Sequence, residues 1–153
     1  FTLGPVTVRA MRNRHPPVED SWALRFDGPG GSVTFSGDTA PMVEMVDFAR
    51  GTDLLVHEAM LGAGIDALCA RVGNGDDRLR RHLERSHTPA AEAGRIAADA
   101  GAGRLALHHL VPSDDPAFTE ADWRREVARH YHGPVEIGSD GLWLGLEQNA
   151  SGR

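Results

Sequence analysis

Groups able to bind a cation or move a proton recur in this sequence beside short apolar runs. Asp38 follows the run at Val33–Phe35, His57 follows Leu54–Val56, and His109 follows Leu105–Leu107, while His15 precedes the apolar stretch that starts at Trp22. In open α/β sheets, ligand-binding groups gather at the carboxyl ends of strands, so three of these four could converge on one edge. Imidazole and carboxylate together suit a divalent transition metal. Taken singly, each has a plainer reading. An aspartate in Ser36-Gly37-Asp38-Thr39 is usually a turn former or helix cap, and a strand-ending histidine is more often a hydrogen-bonded surface residue. That plainer reading is taken for His108, His130 and His132.

The elements that must position these groups follow from periodicity and turn chemistry. Val6–Met11 and Trp22–Phe26 alternate in polarity, and Ser32–Phe35 leads into Gly37. The turns His15-Pro16-Pro17 and Asp27-Gly28-Pro29-Gly30-Gly31 separate them, which predicts antiparallel strands with one buried face. From Pro41 the period becomes helical, with Met42, Met45, Val46 and Ala49 on one face, Pro41 suited to the first turn and Gly51 to the stop. Asp53–Val56 reads as a strand ending at His57-Glu58. Two short helices are expected over Ile65–Arg71 and Asp76–Arg85, the second a solvated, mixed-charge face. Thr88 is suited to cap a helix that Pro89 opens and that buries Ala93, Ile96, Ala97 and Ala100. Arg104–Leu107 predicts a buried strand, and Thr119 with Asp122 a capping box for a last helix burying Trp123, Val127 and Tyr131. Strands are expected at Val135–Ile137 and Leu142–Leu146, with a flexible tail over residues 148–153. Alternating strand and helix from residue 33 to 137 make the fold class α/β, with a mixed sheet.

In chain order the motifs are His15, Gly37-Asp38-Thr39, His57-Glu58-Ala59, Ser86-His87-Thr88 and His109-Leu110. This series resembles the second half of metallo-β-lactamase-fold hydrolases of the ribonuclease Z and arylsulfatase-like branch, over about residues 5–146. The resemblance implies that residues 1–147 form the C-terminal half of an αββα sandwich domain. It also implies two divalent metal ions, with zinc favoured and manganese or iron tolerated by the same ligands. Asp38 matches the carboxylate that bridges the two ions, His15 the ligand of one and His109 the ligand of the other. His87 resembles the histidine that contacts the ester's oxyanion or protonates the leaving group. His57 with Glu58 looks like a pair that orients that histidine or relays a proton. Two metals roughly 3.5–4 Å apart share a hydroxide and lower its pKa.

The sequence departs from the family in two respects. The first-half motif His-x-His-x-Asp-His is absent, so the chain is expected to be a fragment of an enzyme, inactive by itself, with the inner face of its sheet bare and prone to association, including as a homodimer. Second, 23 positions separate His15 from Asp38, leaving no room for the long tRNA-gripping arm of ribonuclease Z. With a net charge of −6, this makes nucleic acid an unlikely partner and favours a small phosphate, sulfate or carboxylic ester. The competing expectations are a tRNA 3′-processing ribonuclease of the same superfamily and a catalytically inactive binding module. A single cysteine, Cys69, excludes an internal disulfide. No apolar run approaches the roughly 18 residues of a membrane span, and a cytoplasmic location is favoured.

Overall fold

The computed structural model describes residues 1–73 and 75–146; the expected tail at 148–153 lies outside the described residues. Seven strands form one mixed sheet in sequence order: β1 (Thr2–Leu3), β2 (Val6–Arg12), β3 (Trp22–Gly28), β4 (Gly31–Phe35), β5 (Leu54–Met60), β6 (Arg104–Val111) and β7 (Val135–Ile137). The first four pair antiparallel and the rest join in parallel, as the change of period near residue 41 predicts. Parallel pairing needs crossovers, and helices supply them. These are α1 (Glu44–Phe48), α2 (Gly62–Val72), α3 (Arg78–Ser86), α4 (Ala90–Ala100) and α5 (Glu120–Val127).

One face of the sheet packs on α1, α4 and α5. Leu55, Leu105 and Leu107 from the sheet meet Met45, Ile96, Ala97, Trp123 and Val127 from the helices in a single buried cluster. The stripe expected on α4 is the one buried, and Gly101 at φ 64° closes that helix in the left-handed conformation. The expected box at the start of α5 is present, with Asp122 accepting from the Thr119 N–H at 2.8 Å and from its hydroxyl at 2.9 Å. Tyr131 donates its hydroxyl to the Ala102 carbonyl at 2.9 Å, which ties the end of α5 to the start of β6.

The structure differs from the sequence expectation in four places. α1 starts at Glu44, so Pro41 lies before the helix. β5 and β6 continue through His57-Glu58 and His108-His109 instead of ending before them. Pro89 precedes α4 without any side-chain cap, because the Thr88 hydroxyl donates to the Thr39 carbonyl at 2.7 Å. Leu142–Leu146 is not a strand: Leu142, Leu144 and Leu146 border, with Val33, Leu54, Val56 and Ala106, a cavity of about 350 Å³ on the face of the sheet away from α1, α4 and α5. That face stays partly open, with Leu24 and Phe35 exposed. Among the described residues no helix is long and apolar enough to cross a membrane.

Candidate metal centre

The carboxyl ends of β4, β5 and β6 bring the candidate residues together. Asp38 sits just past β4 in a turn that only glycine permits. Gly37 has φ 58°, and a Cβ there would lie 2.6 Å from the Trp22 carbonyl oxygen and 2.9 Å from Asn13 Nδ2. His109 interrupts β6 with φ 43°, the one positive value outside glycine among the described residues. It coincides with the register shift where Glu58 pairs with His108 but Ala59 pairs with Leu110. Leu105 and Leu107 point to the helices, and the extra residue re-aims the His109 imidazole away from them. Its Nε2 lies 3.3 Å from Asp38 Oδ2.

His87 occupies the middle of the cluster. Its ring stacks on His109 at 5.3 Å between centroids and meets His15 edge-on at 5.0 Å. Its Nδ1 donates to Glu58 Oε1 at 3.1 Å, and the same oxygen accepts the Thr39 N–H at 2.8 Å. Burial raises the Glu58 carboxyl above its ordinary value against these hydrogen bonds. The Glu58 hydrogen bond in turn raises His87 against its own burial. The pair therefore holds a proton to higher pH than free imidazole would.

The other expected residues fall into two groups. His15 is near the cluster, and its Nδ1–H donates to the Ser86 carbonyl at 2.9 Å, leaving Nε2 with its lone pair. Fixing one ring nitrogen by a carbonyl is the usual way a ligating histidine is oriented. His57 is not part of the cluster. It is fully buried, its only hydrogen bond runs from Nδ1 to the Glu58 backbone carbonyl at 2.7 Å, and it does not touch His87. Adjacent residues of a strand face opposite sides, so Glu58 reaches the site while His57 turns from it. Burial lowers the His57 pKa to about 4 and also lowers that of His108.

Several supporting residues carried no metal-ligand signature in the sequence. Asn13 is buried and donates to the Ser36 carbonyl at 2.6 Å. Ser36 Oγ donates to the Gly37 carbonyl at 2.7 Å and accepts the Glu58 N–H at 3.0 Å. Ser86 Oγ donates to the Pro16 carbonyl at 2.7 Å. The only hint of them was that hydroxyl residues flank Asp38 and His87 in their motifs.

Among the described residues one set of three donors lies close enough to hold a cation. Glu58, His87 and His109 place ligand atoms within 4.8 Å of one another. Glu58 Oε1 and His87 Nδ1 are already engaged with each other, so that set loses its internal bond on binding a metal. Asp38 Oδ2 and His109 Nε2 are likewise 3.3 Å apart, and this carboxylate–imidazole pair has the chemistry that suits divalent transition metals, with His15 Nε2, on the neighbouring segment, left without a hydrogen bond among the described residues. Beside them lies an open cleft of about 800 Å³, bordered by His109, Pro112, Asp114, Ser139 and Asp140.

The comparisons with known proteins agree with this architecture. The chain is 37% identical over 144 residues to a ribonuclease Z of Myxococcus xanthus, covering 93% of this chain and 40% of that protein. It is 30% identical over 146 residues to a ribonuclease Z of Mycobacterium tuberculosis, covering 92% and 50%. The chain thus spans roughly half the length of these relatives. Among solved structures, the metallo-β-lactamase-fold protein YhfI of Bacillus subtilis superposes with a TM-score of 0.69 at 26% identity, over 94% of this chain and 52% of that one. The short form of human tRNase Z superposes with a TM-score of 0.64 at 21% identity, over 96% and 44%. The family profile of the beta-lactamase superfamily domain matches residues 1–110, which hold His15, Asp38, Glu58, His87 and His109, and by that match the chain belongs to the beta-lactamase superfamily, a family of metallo-β-lactamase-fold hydrolases.

Proposed function

We propose that this chain carries half of a dinuclear metal centre in an enzyme that hydrolyses small phosphate, sulfate or carboxylic esters. The observation that carries the reading is the gathering of Asp38, His109 and His15 around a His87 already paired with a buried Glu58. Asp38, His15 and His109 would hold the cations, and zinc suits them best. When bound, a pair of such ions supplies an ionised water and neutralises charge developing on the ester. Glu58 fixes the tautomer of His87 by accepting from Nδ1, which leaves Nε2 to carry the proton for the departing oxygen. The raised pKa of His87 keeps that proton available near neutral pH.

Processing of tRNA 3′ ends is the second reading, because the relatives at 30–37% identity bear the name ribonuclease Z. Against it, only the β3–β4 hairpin separates His15 from Asp38, and the net charge is −6. The test is metal content of the intact enzyme, followed by activity on aryl phosphate, diester, sulfate and carboxylic ester panels beside a tRNA precursor. About two equivalents of metal, lost on Asp38→Ala or His109→Ala, with turnover of a small ester, support the reading. A folded, metal-free enzyme inert on every ester sinks it and leaves a binding module. Cleavage of the precursor alone favours the second reading.

A further inference from the structure

All 16 basic side chains counted as lysine or arginine are arginines. Among the described residues nearly every one has a matched acceptor. Most are paired with carboxylates, and Arg104 donates to the Gly145 carbonyl. The guanidinium groups of Arg14 and Arg85 have neither, and both residues are exposed. Glu84, the acid next to Arg85, lies 3.7 Å from Arg80 instead.

These two arginines belong to the same small region. Arg14 precedes His15 and Arg85 precedes Ser86, and those segments are joined by the bonds from His15 Nδ1 to the Ser86 carbonyl and from Ser86 Oγ to the Pro16 carbonyl. Each arginine stands on fixed backbone. The Arg14 N–H donates to Thr39 Oγ1 at 3.1 Å and its carbonyl accepts from Ala40 N–H at 2.7 Å, one residue past the Asp38 turn. Arg85 lies in the last turn of α3, immediately before the buried Ser86-His87 pair. In a chain of net charge −6, two arginines without a matched acceptor therefore stand on the two joined segments that carry His15 and His87.

We propose that Arg14 and Arg85 form a clamp for a phosphate group of the substrate, which selects phosphate esters over neutral carboxylic esters. The inference rests on the hydrolase reading above and narrows its substrate class. Guanidinium suits this task because its planar N–H fork matches phosphate oxygens two at a time. Leaving both groups without an internal carboxylate avoids the competition that would weaken a bound anion.

Two experiments test it separately from the hydrolase reading. In this chain, titration with thymidine 5′-monophosphate is followed through the arginine Nε–H resonances, with thymidine as the uncharged control. Shifts concentrated at Arg14 and Arg85, absent with thymidine and weakened about tenfold in affinity by the double variant Arg14→Gln/Arg85→Gln, support the clamp. Equal shifts at Arg81 and Arg124, or unchanged affinity in the double variant, overturn it. In the intact enzyme, the double variant should raise KM for bis(p-nitrophenyl) phosphate about tenfold and leave p-nitrophenyl acetate unaffected, whereas Arg81→Gln should change neither. Turnover of the diester with unchanged KM in the double variant overturns the clamp and spares the hydrolase. Nucleotide binding at the two arginines in an enzyme without esterase activity does the reverse.

Discussion

His57 is fully buried in β5, where its Nδ1–H donates to the Glu58 carbonyl and burial lowers its pKa from 6.5 to about 4. In the unfolded chain the same imidazole takes up a proton near the ordinary value. Between those two values the unfolded state binds more protons than the folded one, so stability is present in full above 6.5 and is lost as pH falls towards 4. The whole span corresponds to about 3 kcal/mol, of which about 2 kcal/mol falls between pH 7 and pH 5. His57→Asn keeps a donor for the Glu58 carbonyl and removes the titration. Urea unfolding of both proteins at pH 7, 6 and 5, at matched ionic strength, reads the effect as a difference. His108, Glu58 and His87 titrate in both proteins, so their contributions largely cancel. The wild type should be the more stable at pH 7, and its advantage should shrink by about 2 kcal/mol at pH 5. Parallel losses of stability in the two proteins would refute the claim that His57 is held neutral by burial.

Two further outcomes follow from particular contacts. A Cβ at Gly94 of α4 would lie 2.7 Å from the Val127 carbonyl oxygen and 3.2 Å from Val127 Cα, so α5 must shift; Gly94→Ala should destabilise the fold by about 1–3 kcal/mol, and an unchanged thermal midpoint would show that the helices have slack. Glu58→Gln preserves the shape of the buried carboxylate but removes the charge that raises His87. In the intact enzyme it should lower kcat by about 10–100-fold and move the alkaline limb of the pH–rate profile to lower pH, with metal content unchanged. An unmoved limb would mean that His87 does not hold the proton.

Much of the fold was legible because two periods do not mimic each other. Alternation over Val6–Met11 and Trp22–Phe26 produced the antiparallel strands, and the apolar stripe of Ala93, Ile96, Ala97 and Ala100 produced α4. What was misread shares a cause. His57, Glu58, His108 and His109 are polar, so they looked like the ends of strands, yet the backbone ladder carries them onward because pairing is made by main-chain groups. Leu142–Leu146 alternates like a strand, but alternation specifies only a shared side, and here the leucines border a cavity over the face of the sheet without joining its ladder. Thr88 has the chemistry of a cap, and a distant carbonyl at Thr39 claimed its hydroxyl. For the site, motif order indicated Asp38, His15, His87 and His109 together, and the structure gathers them. The separation of His57 from His87 depends on which side of β5 each residue faces, and the motif alone does not state it.

The left-handed backbone at His109 places two demands on one position. The chain must bend where most side chains resist, a conformation that asparagine, aspartate and histidine tolerate several-fold better than other residues with a Cβ. In the proposed metal-holding role, the side chain must also offer a lone pair beside Asp38. Glycine satisfies the first demand alone; cysteine and glutamate satisfy only the second. The residues admissible at 109 are the overlap of the two sets, so the bulge restricts the donor chemistry of this edge to imidazole, carboxylate or carboxamide before any ion has been chosen.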